Sequence, residues 1–574
     1  MSADPAGGVR YSPVQLARLL GLPEPTAEQA TVISAPLRPV AVIAGAGSGK
    51  SETMAARLVW LVANGLARPE RMLGLTFTRK AAAELAERVR TRLDGLRRVG
   101  LPDASRGSGS GPARGPADYD GLLAGEPVIS TYHAYAGRLV ADHALREALE
   151  PSMRLITPAV AWQIAAGVVA AYDGPMDAIE WVPRTVTAAT LQLAGDLAEH
   201  LRGLQSVSDV GEWLTRQAEA LPGGIEGASA AVRKILSSQR VREQLLPLVQ
   251  RYAEAKRARE VIDYGDQVAL AARIARRHPE VGAGERGRYQ AVLLDEYQDT
   301  SHAQLVLLRS LFGGGHPVTA VGDPCQSIYG WRGASAGNLR RFTDDFPAAQ
   351  SCTLATSFRN SGRILDAAAA IQDGLRAEAP QVPRLVPPPG RAQRGTVTCA
   401  LLETAGHEAD WVAQQVAALL RLPAGTAPDG QPWPDGRKDG VRPRDIAVLC
   451  RKRTQFPALR KALEALGIPV EVVGLGGLLT VPEVQDVVAT LRVLHDPAAS
   501  DALARLLTGP RWRIGPRDLI MLGRRARDLA RVGRDRPQPA AAQASAAETP
   551  APETPGPGAP APAPVPDGDA LAQA

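Results

Sequence analysis

The sequence predicts an α/β protein whose strands form parallel sheets covered by helices. Short apolar runs recur, and each ends in small or polar residues: "VAVIAG" (40–45), "MLGLTFT" (72–78), "PVISTYH" (127–133), "QAVLLDE" (290–296) and "PVTAVGD" (317–323). Continuous rather than alternating apolar runs are typical of strands buried on both faces. Because ligands bind at the carboxyl ends of such strands, the polar residues there predict an active site.

Changes of pattern along the chain predict several domains, which 574 residues allow. Between residues 133 and 259 the sequence turns to long amphipathic helical stretches, which we interpret as an insertion in the sheet domain. Further strand-like runs, "GTVTCALL" (395–402), "DIAVLC" (445–450) and "PVEVVG" (469–474), predict a second α/β domain. From about residue 476 the pattern is helical again.

Two internal stretches and the end of the chain have the composition of loops or disorder. The segments 104–118 and 423–440 are rich in glycine and proline and have no apolar period. From about Pro537 the chain is almost entirely Ala, Pro, Glu and Thr, which predicts a disordered tail. The predicted ranges are 1–135 and 256–348 for the two parts of the first sheet domain, 136–255 for its helical insertion, 349–475 for the second, incomplete sheet domain, 476–535 for the start of a second helical insertion and 536–574 for the tail.

Composition and charge narrow the class of protein. The chain carries 66 Lys and Arg against 60 Asp and Glu, and this net charge of +6 leans weakly towards a polyanionic partner. The four cysteines form no CxxC pair, which argues against a disulfide framework or a zinc site. No apolar run reaches the roughly 18 residues of a membrane span, and the first residues do not resemble a signal peptide. We therefore expect a soluble cytoplasmic protein.

The stretch "AGAGSGKS", residues 44–51, predicts a phosphate-binding loop. It has the Walker A pattern, with Ala44 in the first place and Gly49, Lys50 and Ser51 at the end. The loop residues are Ala44, Gly45, Ala46, Gly47, Ser48, Gly49, Lys50 and Ser51. Backbone N–H groups would converge on phosphate oxygens, Lys50 would add a charge near the β- and γ-phosphates, and the Ser51 hydroxyl would bind Mg²⁺. The alternative is a glycine-rich turn between a strand and a helix in which the lysine occurs by chance and binds no phosphate.

A second stretch, "AVLLDEYQDT", supplies the acidic strand end that a P-loop ATPase needs. Asp295 is the candidate Mg²⁺ ligand, and Glu296 is the candidate general base that activates the attacking water. An Asp-Glu pair after apolar residues is often only a solvated strand end, and that alternative stays open for this stretch taken alone.

The next strand leads into "AVGDPCQSIYGWRGAS" (320–335), which joins a polar sensor to aromatic residues. Gln326 is placed to sense the γ-phosphate from the neighbouring strand end. Tyr329 and Trp331, with Arg332 beside them, stand out in a chain with only 4% aromatic residues. Flat side chains beside a guanidinium are what single-stranded bases stack on. The alternative is that Tyr329 and Trp331 belong to the core.

Taken together these motifs resemble those of the superfamily 1A DNA helicases, the UvrD, Rep and PcrA type. The segments are "PTAEQ" (25–29), "AGAGSGKS", "LTFTRKAAAEL" (75–85), "STYHAY" (130–135), "VLLDEYQDT", "VGDPCQSIYGWRGA" and "LATSFRNS" (354–361), in the family's order and approximate spacing. The resemblance runs from about Thr26 to at least residue 508. Three further segments resemble AdnB, a motor subunit of a helicase–nuclease, more closely.

The resemblance implies two RecA-like domains with parallel sheets, each carrying an inserted, mainly helical subdomain, with ATP and Mg²⁺ in the cleft. It implies DNA as partner, movement along one strand (typically 3′ to 5′) and, for the AdnB-like reading, a second AdnA-like subunit. The implied nucleotide-site residues are Gln29 and Phe358 on the adenine, Arg359 on the γ-phosphate, and Lys50, Ser51, Asp295, Glu296 and Gln326 as above. The implied single-strand path is lined by Phe77, His133, Tyr329, Trp331 and Arg332.

The sequence also departs from the family in specific places. Glu52 stands where UvrD-type enzymes have an arginine that stacks on adenine, and Arg79 replaces the usual asparagine of "TFTNKAA". The later motifs of the family, including the one with the second arginine finger, and a nuclease motif are not found before Ala574. We therefore expect the front part of a helicase.

Two hypotheses follow for the function. The first is an ATP-dependent DNA helicase or translocase acting in recombination or break repair. The second is an ATP- and single-strand-binding subunit that does not turn over ATP by itself. A P-loop kinase or GTPase does not explain Tyr329, Trp331 or the second α/β domain.

Overall fold

The computed structural model describes residues 9–99, 125–330, 337–378, 382–473, 479 and 481–534. The chain divides into two compact units, Met1–Leu449 and Cys450–Ala574. The predicted loop at 104–118, Trp331, Arg332 and the predicted tail at 536–574 lie outside the described residues.

A six-stranded sheet in which every pairing is parallel organises the first unit. Its strands are β1 (Val40–Ala44), β2 (Met72–Thr76), β3 (Val128–Thr131), β6 (Ala291–Leu294), β7 (Val318–Gly322) and β8 (Gln350–Leu354). Their order across the sheet is β3-β2-β6-β7-β1-β8. The prediction of a parallel α/β sheet is confirmed, and five of these strands coincide with the apolar runs. The strand β8 was not predicted; it pairs with β1 over its whole length.

Helices cover both faces of this sheet. They are α1 (Pro13–Leu19), α2 (Ala27–Ile33), α3 (Lys50–Ala63), α4 (Arg79–Val99), α5 (Tyr132–His143), α11 (Tyr264–Arg277), α12 (Pro279–Arg288), α13 (His302–Phe312), α14 (Gly337–Arg340) and α15 (Phe342–Asp345). Alternate residues of β1 serve the two cores: Val40, Val42 and Ala44 pack with α1 to α4, whereas Ala41 and Ile43 pack with α5, α11 and α13. A strand buried on both faces requires this double layer, which explains the continuous apolar runs.

A helical segment is inserted between α5 and α11. Its helices are α6 (Pro158–Ala170), α7 (Pro183–Glu199), α8 (Gln205–Glu219), α9 (Gly224–Gly227) and α10 (Ala230–Arg257), with the short strands β4 (Arg154–Leu155) and β5 (Val261–Ile262) pairing at its base. It has apolar clusters of its own, one of which contains Ile164 and Tyr252. At the junction with α11, Lys256 Nζ donates to carboxylates of Asp263 and Asp266, 2.6 Å from each. This buried lysine fixes the end of α10 against the start of α11.

One buried arginine ties α3 to the segment after α2. Arg57 is 1% exposed, and burial lowers its pKa to about 10. Its acceptors are the carbonyl oxygens of Val32 (3.0 Å), Ile33 (3.2 Å), Ala35 (2.7 Å) and Pro36 (3.2 Å) and the hydroxyl of Thr319 (3.0 Å). Val32 and Ile33 are the last two residues of α2, and Ala35 and Pro36 follow it, so the guanidinium adds a cap to the C-terminal end of this helix.

The remaining described helices are α16 (Gly362–Glu378) and α17 (Ala405–Leu420) in the first unit and α18 (Phe456–Ala465), α19 (Pro482–His495), α20 (Ser500–Thr508) and α21 (Pro516–Arg534) in the second. Among the described helices, none is long and apolar enough to cross a membrane.

The prediction of strands at 395–402, 445–450 and 469–474 is wrong for the residues that the structure describes there. No strand is formed, and apolar side chains in these segments are exposed: Leu401 is 99% and Leu449 is 94% exposed. An interior parallel strand needs hydrogen-bonded neighbours and a helical layer on each face. Within the described residues these segments pair with no strand, so their apolar sequence alone does not make them strands.

Replacing Arg57 tests its role as an internal cap. We expect Arg57→Met to lower the free energy of unfolding by at least about 3 kcal/mol, because five hydrogen bonds of the buried guanidinium are lost together. Urea unfolding followed by circular dichroism measures this. The control is Arg18→Ala, which removes an exposed arginine paired with exposed Glu24 and should not change the midpoint. Equal midpoints for the two variants would contradict the assigned role.

Candidate active site

The loop between β1 and α3 has the geometry of a phosphate cradle. Gly47 and Gly49 have φ angles of 75° and 79°, in the left-handed region. Ser48 closes the loop, since its backbone N–H and its hydroxyl both donate to the carbonyl of Gly45, at 3.2 and 2.8 Å. The helix α3 begins at Lys50, so the positive end of its dipole lies at the loop. The loop can therefore hold an anion.

A lysine and a glutamate face each other beside this loop. Lys50 Nζ lies 4.0 Å from Glu296 Oε2, and the lysine side chain is 12% exposed. Glu296 has a φ of 50°, a left-handed conformation that is rare for glutamate and is found preferentially at functional sites. The predicted phosphate-binding cation and the predicted general base thus come together although 246 positions of sequence, from residue 50 to residue 296, separate them.

Asp295 is buried behind Glu296, at the carboxyl end of β6. Its backbone N–H donates to Leu75 O at 2.8 Å, and its carboxylate accepts the N–H of Glu296 at 3.0 Å. Burial, together with the adjacent charge of Glu296, raises the pKa of Asp295 to about 6. A buried carboxylate of this kind is stabilised by a nearby cation.

The oxygen donors near the loop fit Mg²⁺. Ser51 lies in the first turn of α3, and Asp295 offers a carboxylate at the neighbouring strand end. No group of three or more His, Cys, Asp or Glu able to hold a metal ion occurs within the ranges that the structure describes. Magnesium usually takes one or two protein oxygens and completes its shell with phosphate and water, which suits this sparse donor set.

A buried glutamine connects the ends of β6 and β7, and the sequence reading missed it. Gln298 is 1% exposed; its Nε2 donates to Glu296 Oε2 at 2.8 Å, and its Oε1 accepts the N–H of Asp323 at 3.0 Å. Asp323 in turn accepts the side-chain amide of Gln326 at 2.6 Å. The signal was present in "YQDT", because a buried glutamine after a strand needs partners on both sides of its amide. The predicted base and the predicted sensor are thus linked through one network.

The segment after β8 packs directly on the phosphate loop. Ser357 Oγ donates to Ala46 O at 2.8 Å, and the N–H of Phe358 donates to Gly47 O at 2.8 Å. A Cβ built on Gly47 would lie 2.5 Å from Arg359 Cβ. The chain therefore places the predicted γ-phosphate arginine against the loop, and Phe358 is 44% exposed beside it.

Gln29 also bonds to the loop. Its Nε2 donates to Ser48 O at 3.1 Å, and its Oε1 accepts the N–H of Thr26 at 3.1 Å as part of a helix cap. It is 8% exposed. Gln29 therefore fixes the loop, while its predicted contact with adenine stays a prediction.

Glu52 is held by two arginines of α4. It forms an ion pair with Arg92, whose side chain is 8% exposed, and lies 3.8 Å from Arg88 Nε. The sequence reading noted the reversed charge at Glu52 but missed these partners. A carboxylate at the start of a helix next to an arginine-rich helix is the signal that would have pointed to them. The negative charge of Glu52, opposite in sign to the arginine that the family resemblance implies at this position, is compensated by Arg92 and Arg88.

Two pairs of the predicted aromatic residues and their partners lie near the ends of β2, β3 and β7 and the start of α11, and Phe77 also packs on Tyr132. Phe77 and Tyr329 are stacked with ring centroids 6.2 Å apart and an interplanar angle of 8°. His133 meets Tyr264 edge to face at 5.9 Å. Tyr264 was not predicted; it is 44% exposed at the start of α11, in "VIDYGD", and an aromatic residue in a helix cap is the available signal. Trp331 and Arg332, predicted for the same path, are among the undescribed residues.

Two protein-family models together match nearly all of the described part of the chain. The model of the UvrD/REP helicase N-terminal domain matches residues 25–347, and that of the UvrD-like helicase C-terminal domain matches residues 352–531.

Curated relatives give the same picture. The chain is 28% identical over 487 residues to ATP-dependent DNA helicase UvrD1 of Mycobacterium tuberculosis, an alignment that covers 83% of this chain and 53% of the relative. It is 26% identical over 501 residues to DNA helicase II of Escherichia coli (87% and 58%) and 29% identical over 489 residues to ATP-dependent DNA helicase Rep of the same species (84% and 60%). The chain therefore spans between about half and three fifths of the length of these relatives.

A pair of glycine variants tests the packing of the Ser357–Arg359 segment on the loop. Gly47→Ala and Gly21→Ala both place alanine at a positive φ, which costs about 1–2 kcal/mol. Only at Gly47 would the new Cβ meet other atoms, since nothing lies within 4 Å of the Gly21 position. We expect Gly47→Ala alone to weaken binding of an ATP analogue, by at least about tenfold. Fluorescence titration and thermal unfolding measure both effects, and identical behaviour of the two variants would contradict a role for this packing.

Proposed function

The chain belongs to the UvrD/REP helicase family, and from this premise we propose that it is an ATP-hydrolysing motor that moves along single-stranded DNA. The observation that carries the proposal is the meeting of Lys50, Glu296 and Arg359 around one loop, beside two aromatic pairs. The relatives named above are ATP-dependent DNA helicases or DNA helicase II, which supports the same proposal.

In the proposed reaction, the loop backbone and Lys50 hold the β- and γ-phosphates. Glu296 accepts a proton from water as the water oxygen attacks the γ-phosphorus, and the bond to the β–γ bridging oxygen breaks to give ADP and phosphate. Mg²⁺, held by Ser51 and Asp295, would neutralise charge on the phosphates. Gln298 keeps the Glu296 carboxylate oriented through its 2.8 Å hydrogen bond.

Arg359 and Gln326 would sense the γ-phosphate. Arg359 follows a segment bonded to the loop, and Gln326 lies at the end of β7, the strand that pairs with β1. Loss of the γ-phosphate would remove a partner from each side chain. This change at two strand ends is the step that we propose to couple hydrolysis to movement.

Single-stranded DNA would run over the aromatic pairs. Phe77 with Tyr329 and His133 with Tyr264 offer ring faces and edges for successive bases, and each base stacked is worth about 1–3 kcal/mol. We propose that Trp331 and Arg332 extend this path. Because the backbone phosphates also contribute, the affinity should fall as salt rises.

The finer assignments rest on the family resemblance and remain proposals. They are movement from 3′ to 5′, a role in recombination or double-strand-break repair, and an AdnB-like place beside an AdnA-like subunit. The contacts of Gln29 and Phe358 with adenine are also proposals of this kind. Glu52, at the position where the family has an arginine on the base, is paired with Arg92 instead.

A second candidate function is an ATP- and DNA-binding subunit without turnover of its own. It is favoured by the unpaired segments 395–402 and 445–449, because in the described residues they do not form the sheet of a second motor domain.

Replacing Lys50 separates the two candidates. We expect Lys50→Ala to lower the DNA-stimulated ATPase rate of this chain by at least about 10²-fold, because the charge next to the transferred phosphoryl group is lost. Phosphate release measures the rate, with Lys234→Ala on α10 as the surface control. Equal rates for Lys50→Ala and the unchanged chain would exclude catalysis by the chain and favour the binding subunit.

Replacing the exposed aromatic residue Tyr264 tests the DNA path. We expect Tyr264→Ala to weaken binding of a single-stranded oligonucleotide about tenfold while leaving ATP affinity unchanged, since one stacking contact is lost. Fluorescence anisotropy at fixed salt measures the affinity. Trp213→Ala, at an exposed aromatic residue on α8, is the matched control. An unchanged DNA affinity in Tyr264→Ala would remove this residue from the path.

A further inference from the structure

The carboxylate of Glu28 holds the backbone that leads to Arg359. Glu28 lies in the first turn of α2. Its Oε2 accepts the N–H of Ala355 at 2.9 Å and the N–H of Thr356 at 3.4 Å. An ionised acceptor makes hydrogen bonds about twice as strong as neutral ones. The carboxylate therefore restrains the chain immediately after β8.

The restrained residues are followed at once by the segment that contacts the phosphate loop. Ser357 is fully buried and bonds to Ala46 O, and Phe358 bonds to Gly47 O. The chain from residue 355 to residue 358 is thus fixed by α2, by the loop and by Val386, whose N–H donates to Ala355 O at 3.0 Å and whose carbonyl accepts the N–H of Ser357 at 2.9 Å. Arg359 is the first residue beyond these bonds, so they set where its side chain starts.

The residue next to Glu28 holds the other half of the site. Gln29 donates to Ser48 O of the loop, 3.1 Å away. The consecutive residues Glu28 and Gln29 of α2 therefore bind two segments that are far apart in sequence, the chain after β8 and the phosphate loop. Because a turn of helix is rigid, it fixes the spacing between the loop and the Arg359 segment.

We propose that Glu28 is a positioning residue that sets the approach of Arg359 to the γ-phosphate. It acts through the backbone of Ala355 and Thr356 and touches no substrate itself. The proposal rests on the proposed function of Arg359. If Glu28 has this role, the affinity of the protein for a nucleoside triphosphate depends on Glu28, whereas its affinity for a diphosphate does not.

The test compares the affinities of the full chain for Mg²⁺-ATPγS and Mg²⁺-ADP. We expect Glu28→Ala to weaken ATPγS binding about tenfold, which corresponds to about 1.4 kcal/mol, and to leave ADP binding unchanged. Glu28→Gln keeps an acceptor oxygen and should recover most of the affinity. The control is Glu24→Ala, an exposed glutamate that pairs with Arg18 and makes no contact of this kind. Titration calorimetry with unfolding midpoints measures all four proteins.

A double-mutant cycle asks whether Glu28 acts through Arg359. In the Arg359→Ala background, Glu28→Ala should cause no further loss of ATPγS affinity. An equal loss of ATPγS and ADP affinity, or additive effects in the double variant, would overturn the proposal and leave Glu28 as a structural contact.

The same experiment distinguishes this proposal from the proposed function. If Arg359→Ala weakens ATPγS binding but Glu28→Ala does not, the positioning role fails and the proposed function stands. If Lys50→Ala leaves both nucleotides bound as in the unchanged chain, the proposed function itself fails and the role of Glu28 fails with it.

Discussion

The placement of β1 between β7 and β8 is the constraint on which the rest of the site depends. Parallel pairing brings the carboxyl ends of neighbouring strands to one edge of the sheet. The loop after β1 therefore lies between the polar segment after β7 and the segment after β8, and β6 adds its two carboxylates from beyond β7. Because β1 is buried on both faces, its position is fixed by two separate cores, and the loop inherits this rigidity.

The site is stabilised by hydrogen bonds that cross between strand ends. Gln298 links the ends of β6 and β7, the segment after β8 bonds to the loop, and α2 holds both the loop and that segment. Apart from the bond between Gln298 and Glu296, these bonds join groups 19 or more positions apart in sequence. A nucleotide entering the site would therefore meet groups whose spacing is already set, which lowers the cost of ordering them on binding.

The reversed charge at Glu52 is accommodated locally. Where related helicases are expected to present an arginine to the base, this chain has a carboxylate paired with Arg92 and close to Arg88. The nearly buried guanidinium of Arg92 and the carboxylate compensate each other, so the departure does not leave an uncompensated charge in the fold. The adenine base would then contact other residues, and the family resemblance makes Gln29 and Phe358 the candidates for that contact.

The sequence by itself determined the parallel sheet of this protein and predicted a phosphate-binding loop. Apolar runs and glycine spacing are local signals: Lys50 ends the glycine-rich loop that follows β1, and Asp295 and Glu296 directly follow β6, so these residues could be named as candidates. The family resemblance added Arg359, Phe77 and His133 as candidates.

Only the tertiary structure decided which distant groups meet. Gln298, Tyr264, Arg92 and Glu28 matter through partners far away in the chain, and no local pattern specifies a hydrogen bond between residue 28 and residue 355. The dependence on distant partners also explains why β8 was not predicted and why the strand predicted at 395–402 is wrong. The strand β8 forms because β1 offers it an edge, whereas the more apolar segment 395–402 pairs with no strand that the structure describes. Strand pairing depends on what lies alongside, and that is a property of the folded chain.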